Sequence, residues 1–190
     1  MQFSDFDLVK KAQQGDRAAF SELYDLYYQK IFGYIARRVG VVQIAADITS
    51  ETFLKMLKKI KTFSFQDIPF SAWLYRVATH EIANYYRQKK AYSLDRMKEE
   101  TGFEINDKTN LEEEFTEAQE ELLKEKIFAE IVGKLKLLPF HYQEVISLRF
   151  FEKKKTREIA DILGKSEGTV KSLLSRGVEK LKKEMEVKKS

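Results

Sequence analysis

Apolar residues recur at i, i+3 and i+4 along nearly the whole chain, while strand-like alternation is scarce. That spacing buries a continuous stripe only on a helical backbone, because residues three and four apart then share a face. Interruptions are few. The 190 residues contain two prolines, Pro69 and Pro139, and eight glycines. The chain is therefore expected to be all-α.

Charge divides it into three parts. Residues 1–94 hold 14 Lys+Arg against 9 Asp+Glu, residues 95–121 hold 3 against 11, and residues 122–190 hold 17 against 10. The net +4 thus hides a basic, acidic, basic order. The acidic middle, DRMKEETGFEINDKTNLEEEFTEAQEE, has too few apolar groups to offset the entropy of ordering. It is expected to be a linker with a helical end near 110–126. The expected organisation is two small helical domains, 1–94 and 122–190, joined by an acidic flexible linker, 95–121. Each flank is long enough for a small helical core.

Several classes are disfavoured. No apolar run approaches the roughly 18 residues needed to span a bilayer, and MQFSDFDLVKKAQQGD does not read as a signal peptide. Absent cysteines exclude a disulfide framework and thiolate metal sites. The two histidines, His80 and His141, lie far apart in sequence with no HExxH-type arrangement. No catalytic residue, metal ligand, cofactor or small-molecule substrate is expected, and the location is read as cytoplasmic.

The C-terminal flank carries the sharpest pattern. A helix is expected over 122–138, with Leu123, Ile127, Ile131 and Leu135 on one stripe. Pro139 then opens a second helix with Tyr142, Val145, Ile146 and Phe150 inward. In TREIADILGKSEGTVKSLLSRGVEKLKK, Thr156 suits an N-cap, Ile159 and Leu163 share a face, and Ala160 permits a close crossing. Gly164 can take the left-handed conformation that ends a helix, and Ser166 caps the next one. Val170, Leu174, Gly177, Val178 and Leu181 form the expected buried face of that second helix. The result is a helix-turn-helix. Its second helix presents Thr169, Lys171, Ser172 and Arg176 for base edges and phosphates, and Lys155, Thr156 and Arg157 approach the backbone from the first.

In the N-terminal flank, one helix is expected to bury Phe20, Leu23, Tyr24, Tyr27, Ile31, Tyr34 and Ile35. The next places Asp47 and Glu51 on one face and Phe53, Leu57 and Ile60 on another. A Phe-rich loop with Phe63, Phe65 and Phe70 then leads to a helix bearing Trp73, Tyr75, Arg76, His80, Asn84, Tyr85, Tyr86 and Arg87. Rings interleaved with cations and amides suit single-stranded nucleic acid, the rings stacking on bases and the cations holding phosphates. Trp73 is expected to be partly core as well.

These two stretches together resemble the sigma-70 family of bacterial RNA polymerase sigma factors, in particular its extracytoplasmic-function (ECF) group. Glu158, Ile159, Ala160, Leu163, Gly164, Gly168, Thr169, Val170, Lys171, Ser172 and Arg176 are similar to region 4.2. Asp47, Glu51, Phe53, Phe70, Trp73, Leu74, Ala78 and Arg87 are similar to region 2. Departures are Ser50, Val77, His80 and Asn84 in region 2, and Leu173 and Gly177 in region 4. Leucine at 173 replaces a common arginine and cannot donate to phosphate or guanine, so unusual −35 preference is expected there. Gly177 replaces alanine and is expected to loosen its helix by up to about 1 kcal/mol.

The resemblance implies a protein that binds RNA polymerase core and directs promoter-specific initiation without catalysis of its own. It implies core contacts through Asp47, Ile48, Glu51, Thr52 and Lys55, with the β′ clamp and the β flap as the polymerase surfaces. It implies −10 contacts through Phe63, Phe65, Phe70, Trp73, Arg76, His80, Asn84 and Arg87. It implies −35 contacts through Lys155, Thr156, Arg157, Ser166, Thr169, Lys171, Ser172, Leu173 and Arg176. Many members are held by an anti-sigma factor, often membrane-anchored, which makes such a partner an expectation too. The residues alone leave one alternative open: a stand-alone helix-turn-helix regulator that binds operator DNA without polymerase.

Overall fold

A computed structural model describes residues 4–65, 68–96 and 130–186, the segment 90–96 by its backbone only. The expected acidic linker beyond residue 96, and the part of the expected helix containing Leu123 and Ile127, lie outside the described residues. Among the described residues every regular element is helical.

The N-terminal half opens with α1 (Asp5–Gln13). No helix was expected there, yet the local chemistry specifies one. The Ser4 hydroxyl accepts from the Asp7 N–H (3.3 Å) and the Asp7 carboxylate accepts from the Ser4 N–H (3.3 Å), closing a capping box. Leu8, Val9 and Ala12 supply its buried face. Helix α2 (Arg17–Val39) starts at Asp16, whose carboxylate accepts from the N–H groups of Ala18 (2.9 Å) and Ala19 (3.2 Å). Helix α3 (Val42–Lys59) follows and tightens into a 3-10 turn, Ile60–Thr62. Helix α4 (Phe70–Arg96) closes this half, packing on α2 and α3.

The buried stripe of α2 is Ala19, Leu23, Tyr27, Ile31, Tyr34 and Ile35, close to expectation. Tyr24 instead sits at the edge, 37 % exposed. On α3 the stripe is Ala45, Ile48, Thr49, Thr52, Phe53 and Met56, continuing to Ile60. Leu57 does not join Phe53 and Ile60, as had been expected, but is 51 % exposed. Met56 occupies the stripe, and the next residue is rotated about 100° away from it.

The C-terminal half comprises α5 (130–137), α6 (Phe140–Ile146), α7 (Thr156–Leu163) and α8 (Glu167–Glu186). Pro139 stands at the cap of α6 rather than inside its first turn. Helix α6 runs into a π-helical segment, Ser147–Phe151, in which the Glu152 N–H donates to Ser147 O (3.1 Å). The wider turn changes the register. Leu148 becomes fully buried, and Phe150, expected inside, is 57 % exposed. Thr156 is the first residue of α7 and not its cap; the Glu158 carboxylate satisfies the Lys155 N–H at that end (2.8 Å).

Gly164 ends α7 in the left-handed region, φ 62°, and Ala160 O accepts from the N–H groups of both Gly164 and Lys165. Gly177 serves a different purpose from the loosening expected of it. A Cβ there would lie 3.1 Å from Tyr142 Cδ1 and 3.2 Å from Ile146 Cδ1, so glycine lets α8 cross α6 closely.

The two halves share a seam, with α7 against α4 and the π segment against α2. Their buried residues form one continuous apolar cluster. Gly177→Val is expected to cost about 1–3 kcal/mol by overpacking against Tyr142 and Ile146. Gly133→Ala, where a Cβ meets nothing within 4 Å, is expected to add up to about 1 kcal/mol of stability from helix propensity. Urea denaturation of both variants beside the parent measures the contrast.

Candidate nucleic-acid interface

Helix α8 begins where its chemistry says it should. The Ser166 hydroxyl accepts from the Thr169 N–H (3.1 Å) and lies 2.9 Å from the Thr169 hydroxyl. Val170, fully buried, anchors the helix to its own domain. With that side fixed, Thr169, Lys171 and Arg176 are exposed and Ser172 is half-buried. The Ser172 hydroxyl accepts from Arg176 Nη2 (2.6 Å), which holds the guanidinium along the helix face. Lys155 and Arg157 are exposed at the start of α7, with Thr156 half-buried between them. The arrangement is a row of donors beside a helix N-terminus, suited to a polyanion.

Leu173 adds no donor to that row. It is half-buried and packs against the apolar cluster. Part of its side chain therefore serves the core.

The loop after α3 is filled by its own rings. Phe63 lies 4.9 Å from Phe65, 5.6 Å from Phe70 and 5.1 Å from Trp73, centroid to centroid. Phe6 of α1 reaches Phe65 at 4.9 Å. The Gln13 amide donates to Ile60 O (3.0 Å) and Phe63 O (2.8 Å), tying the loop to α1. Phe70 is buried; Phe63, Phe65 and Trp73 are half-buried.

Beside this aromatic group, α3 and α4 enclose a cleft of about 330 Å³ lined by Lys55, Lys59, Trp73, Arg76, Val77, His80, Glu81 and Asn84. Four of the residues assigned by sequence to −10 DNA thus meet in one place: Trp73, Arg76, His80 and Asn84. Arg87 is exposed further along α4. Glu81 was missed. Its carboxylate accepts from Lys55 Nζ (2.6 Å) and, more weakly, from Asn84 Nδ2 (3.4 Å). No spacing rule links Lys55 to a residue on the next helix, so only the packing of α3 on α4 reveals the pair.

Not every ring on α4 faces the cleft. Tyr75 is buried in the seam and donates to Glu152. Burial, together with the negative charge of Glu152, pushes the Tyr75 phenol far above its ordinary range. The Tyr86 hydroxyl donates to Arg38 O (2.7 Å), and its ring meets Phe140 edge-on. These rings join the halves instead of standing free to stack on bases.

On α3, Asp47 and Glu51 are exposed and Lys55 is half-exposed, one turn apart each. Leu54 and Leu57, both about half-exposed, flank them. Ile48 and Thr52, expected on this docking face, lie in the core instead; the Thr52 hydroxyl donates to Ile48 O (2.8 Å). They occupy the inner stripe of the same helix that carries Asp47 and Glu51 outside. Among the described residues there is no cluster of potential metal ligands, and no helix is long and apolar enough to cross a membrane.

Comparison with known proteins agrees with this division. Residues 23–92 match the family described as Sigma-70 region 2, and residues 129–181 match Sigma-70, region 4. The ECF RNA polymerase sigma factor SigW of Bacillus subtilis is 32 % identical over 93 % of this chain and 94 % of its own length. The ECF RNA polymerase sigma factor BldN of Streptomyces coelicolor is 34 % identical over 92 % of this chain, which spans 63 % of BldN. A solved structure of CnrH in complex with the cytosolic domain of CnrY shares the fold, with a TM-score of 0.68 over 96 % of this chain and 97 % of that one, at 23 % identity.

Ser166→Ala removes the α8 cap and is expected to cost about 1 kcal/mol. Leu173→Ala is expected to cost about 1–2 kcal/mol, since a half-buried leucine loses part of its transfer energy, while leaving the preferred duplex sequence unchanged. Thermal unfolding and a duplex selection experiment measure the two effects separately.

Proposed function

We propose that this chain, which belongs to the extracytoplasmic-function group of the sigma-70 family, binds RNA polymerase core and directs it to promoters. The observation that carries the reading is that one chain presents two differently built surfaces, each with chemistry suited to nucleic acid. One is the capped helix α8, with Thr169, Lys171, Ser172 and Arg176 along one side. Its geometry suits the major groove of a −35 duplex, with Lys155, Thr156, Arg157 and Ser166 toward phosphates. The other is the aromatic loop and the α3–α4 cleft. Rings beside cations and amides suit an unwound −10 strand, and an unstacked base can enter a protein pocket at modest cost.

A regulator that reads only duplex operator DNA has no use for the second surface. The exposed Asp47 and Glu51, edged by Leu54 and Leu57, fit a protein-docking face and are assigned to the β′ clamp. The half-exposed groove of Phe150, Leu174 and Val178 beside α8 is assigned to the β flap. The proposed working units are 1–94 and 122–190. The acidic 95–121 segment, net −8 by its 3 basic and 11 acidic residues, acts between them as a nucleic-acid mimic in the polymerase cleft. Residence in the cytoplasm and control by an anti-sigma factor follow from the same reading. The chain contributes recognition, and the polymerase forms the phosphodiester bonds.

Run-off transcription with core polymerase, with and without this chain, on a pool of genomic promoters is the direct test. Promoter-dependent transcripts are expected only when both are present. Operator binding by a dimer of the chain, with no core binding, would establish the regulator reading instead. Lys171→Ala with Arg176→Ala is expected to weaken −35-dependent binding by about 2–5 kcal/mol and to leave core affinity unchanged. Asp47→Lys with Glu51→Lys is expected to do the reverse, measured by core pull-down beside a −35 duplex titration.

A further inference from the structure

Glu81 is the one carboxylate on the walls of a cleft whose other polar side chains are Lys55, Lys59, Trp73, Arg76, His80 and Asn84. Its side chain is 10 % exposed. An acid in that position works against a surface suited to a polyanion. The cations attract any phosphate, whatever base it carries, and a carboxylate among them repels it. Its presence calls for a donor that the ligand itself brings.

The carboxylate is held in place and left partly unfilled. Oε2 accepts from Lys55 Nζ on the facing helix α3, at 2.6 Å. Oε1 has Asn84 Nδ2 alone, at 3.4 Å, near the outer limit of a hydrogen bond. Arg76, another strong donor in the wall, is turned instead to Asp161 O and Ile162 O. A carboxylate carries about four lone-pair sites, so acceptor capacity remains in the cleft wall.

Bases differ at such a site. The amino group of cytosine, adenine or guanine is a donor, whereas thymine sets carbonyl oxygens on both sides of its single N–H. A carbonyl facing Glu81 leaves two acceptors opposed with no proton between them. A site built around a buried polar group rejects a ligand that cannot pair with it.

We infer that Glu81 selects the base in this cleft: it accepts from the exocyclic amino group of one unstacked −10 base and excludes thymine there. Trp73 supplies a ring for that base to stack on, and the exposed Lys59 a cation for its phosphate. Lys55 presets the carboxylate, so little ordering is left to do when the base arrives. This selection rests on the −10 reading of the cleft. The other use for the Lys55–Glu81 pair is a brace between α3 and α4, which would alter stability without regard to base.

The test uses the full chain assembled with core polymerase. Its probe is a promoter fragment recovered by run-off transcription, with the −10 region left as an unpaired, dye-labelled non-template strand. Each cytosine, adenine or guanine in that region is replaced in turn by the same ring lacking the amino group: 2-pyrimidinone, purine or hypoxanthine. At one position this replacement, and likewise thymine, is expected to weaken binding on the order of tenfold. In Glu81→Gln the amide keeps its one oxygen for Lys55 and turns its NH2 to the cleft. The preference at that position should then shrink to within about twofold or pass to thymine. Preferences at the other −10 positions and for the −35 duplex should stay as in the parent.

A parent holoenzyme indifferent to the amino group at every position would overturn the selection, and this arm decides the matter if Glu81→Gln does not assemble. A Glu81→Gln holoenzyme that melts earlier yet keeps the parent's base preferences would establish the brace and overturn the selection. Equal weakening at every position would overturn it as well. Binding that does not depend on the unpaired strand at all would remove the −10 reading, and the selection falls with it.

Discussion

Glu152 holds the position of one half of the molecule against the other. A single carboxylate accepts from a guanidinium on α2 and a phenol on α4, so two helices of the N-terminal half converge on one point of the C-terminal half. Arg76 adds a second grip on the end of α7, and Lys154 lies 4.7 Å over the Tyr75 ring from the same side. Charge-assisted bonds in a partly dehydrated seam are stronger than their surface counterparts. They fix orientation, which the apolar cluster beneath them, being non-directional, does not.

The local backbone serves that placement. The π segment adds residues to the turn and brings Glu152 to the seam while turning Phe150 outward. Lys153 follows with φ 53°, a left-handed conformation uncommon for a residue with a Cβ. The Lys154 N–H then donates to Leu148 O (2.9 Å), which holds the reversal. Strain and register change coincide just before α7, where the chain passes from domain packing to nucleic-acid recognition. On the other side, Gln13 ties the aromatic loop to α1, so a helix with no assigned contact to DNA sets the shape of the surface proposed for −10 DNA.

Much of the recognition helix was legible because its signals are local. Ser166 caps, Gly164 reverses the chain, and Val170 marks the inner face within a few residues of one another, so spacing alone orients Thr169, Lys171 and Arg176. The residues proposed for −10 DNA stood out in the sequence as a composition, rings among cations on one helix. Which rings face the cleft did not. Tyr75 and Tyr86 have the same chemistry as Trp73 but point into the seam, because the other half of the chain covers their side of α4. Leu173 has a packing side that was hidden for the same reason: an expectation built on the residue usually found there says nothing about the apolar surface beneath it. Ile48 and Thr52 show the converse, since a docking helix must also pack, and its inner stripe cannot reach a partner.

The sequence by itself determined the helical class, the two-part organisation, the helix-turn-helix with its Gly164 turn and Ser166 cap, and the outward row of α8, because each rests on interactions within a few residues. Tertiary structure decided the register after the π segment, the Lys55–Glu81 pair, the packing purpose of Gly177, and the seam with its buried Arg38. All of these except the register join residues distant in the chain. Their energies depend on which groups are removed from water together, and no spacing along a single strand of residues records that.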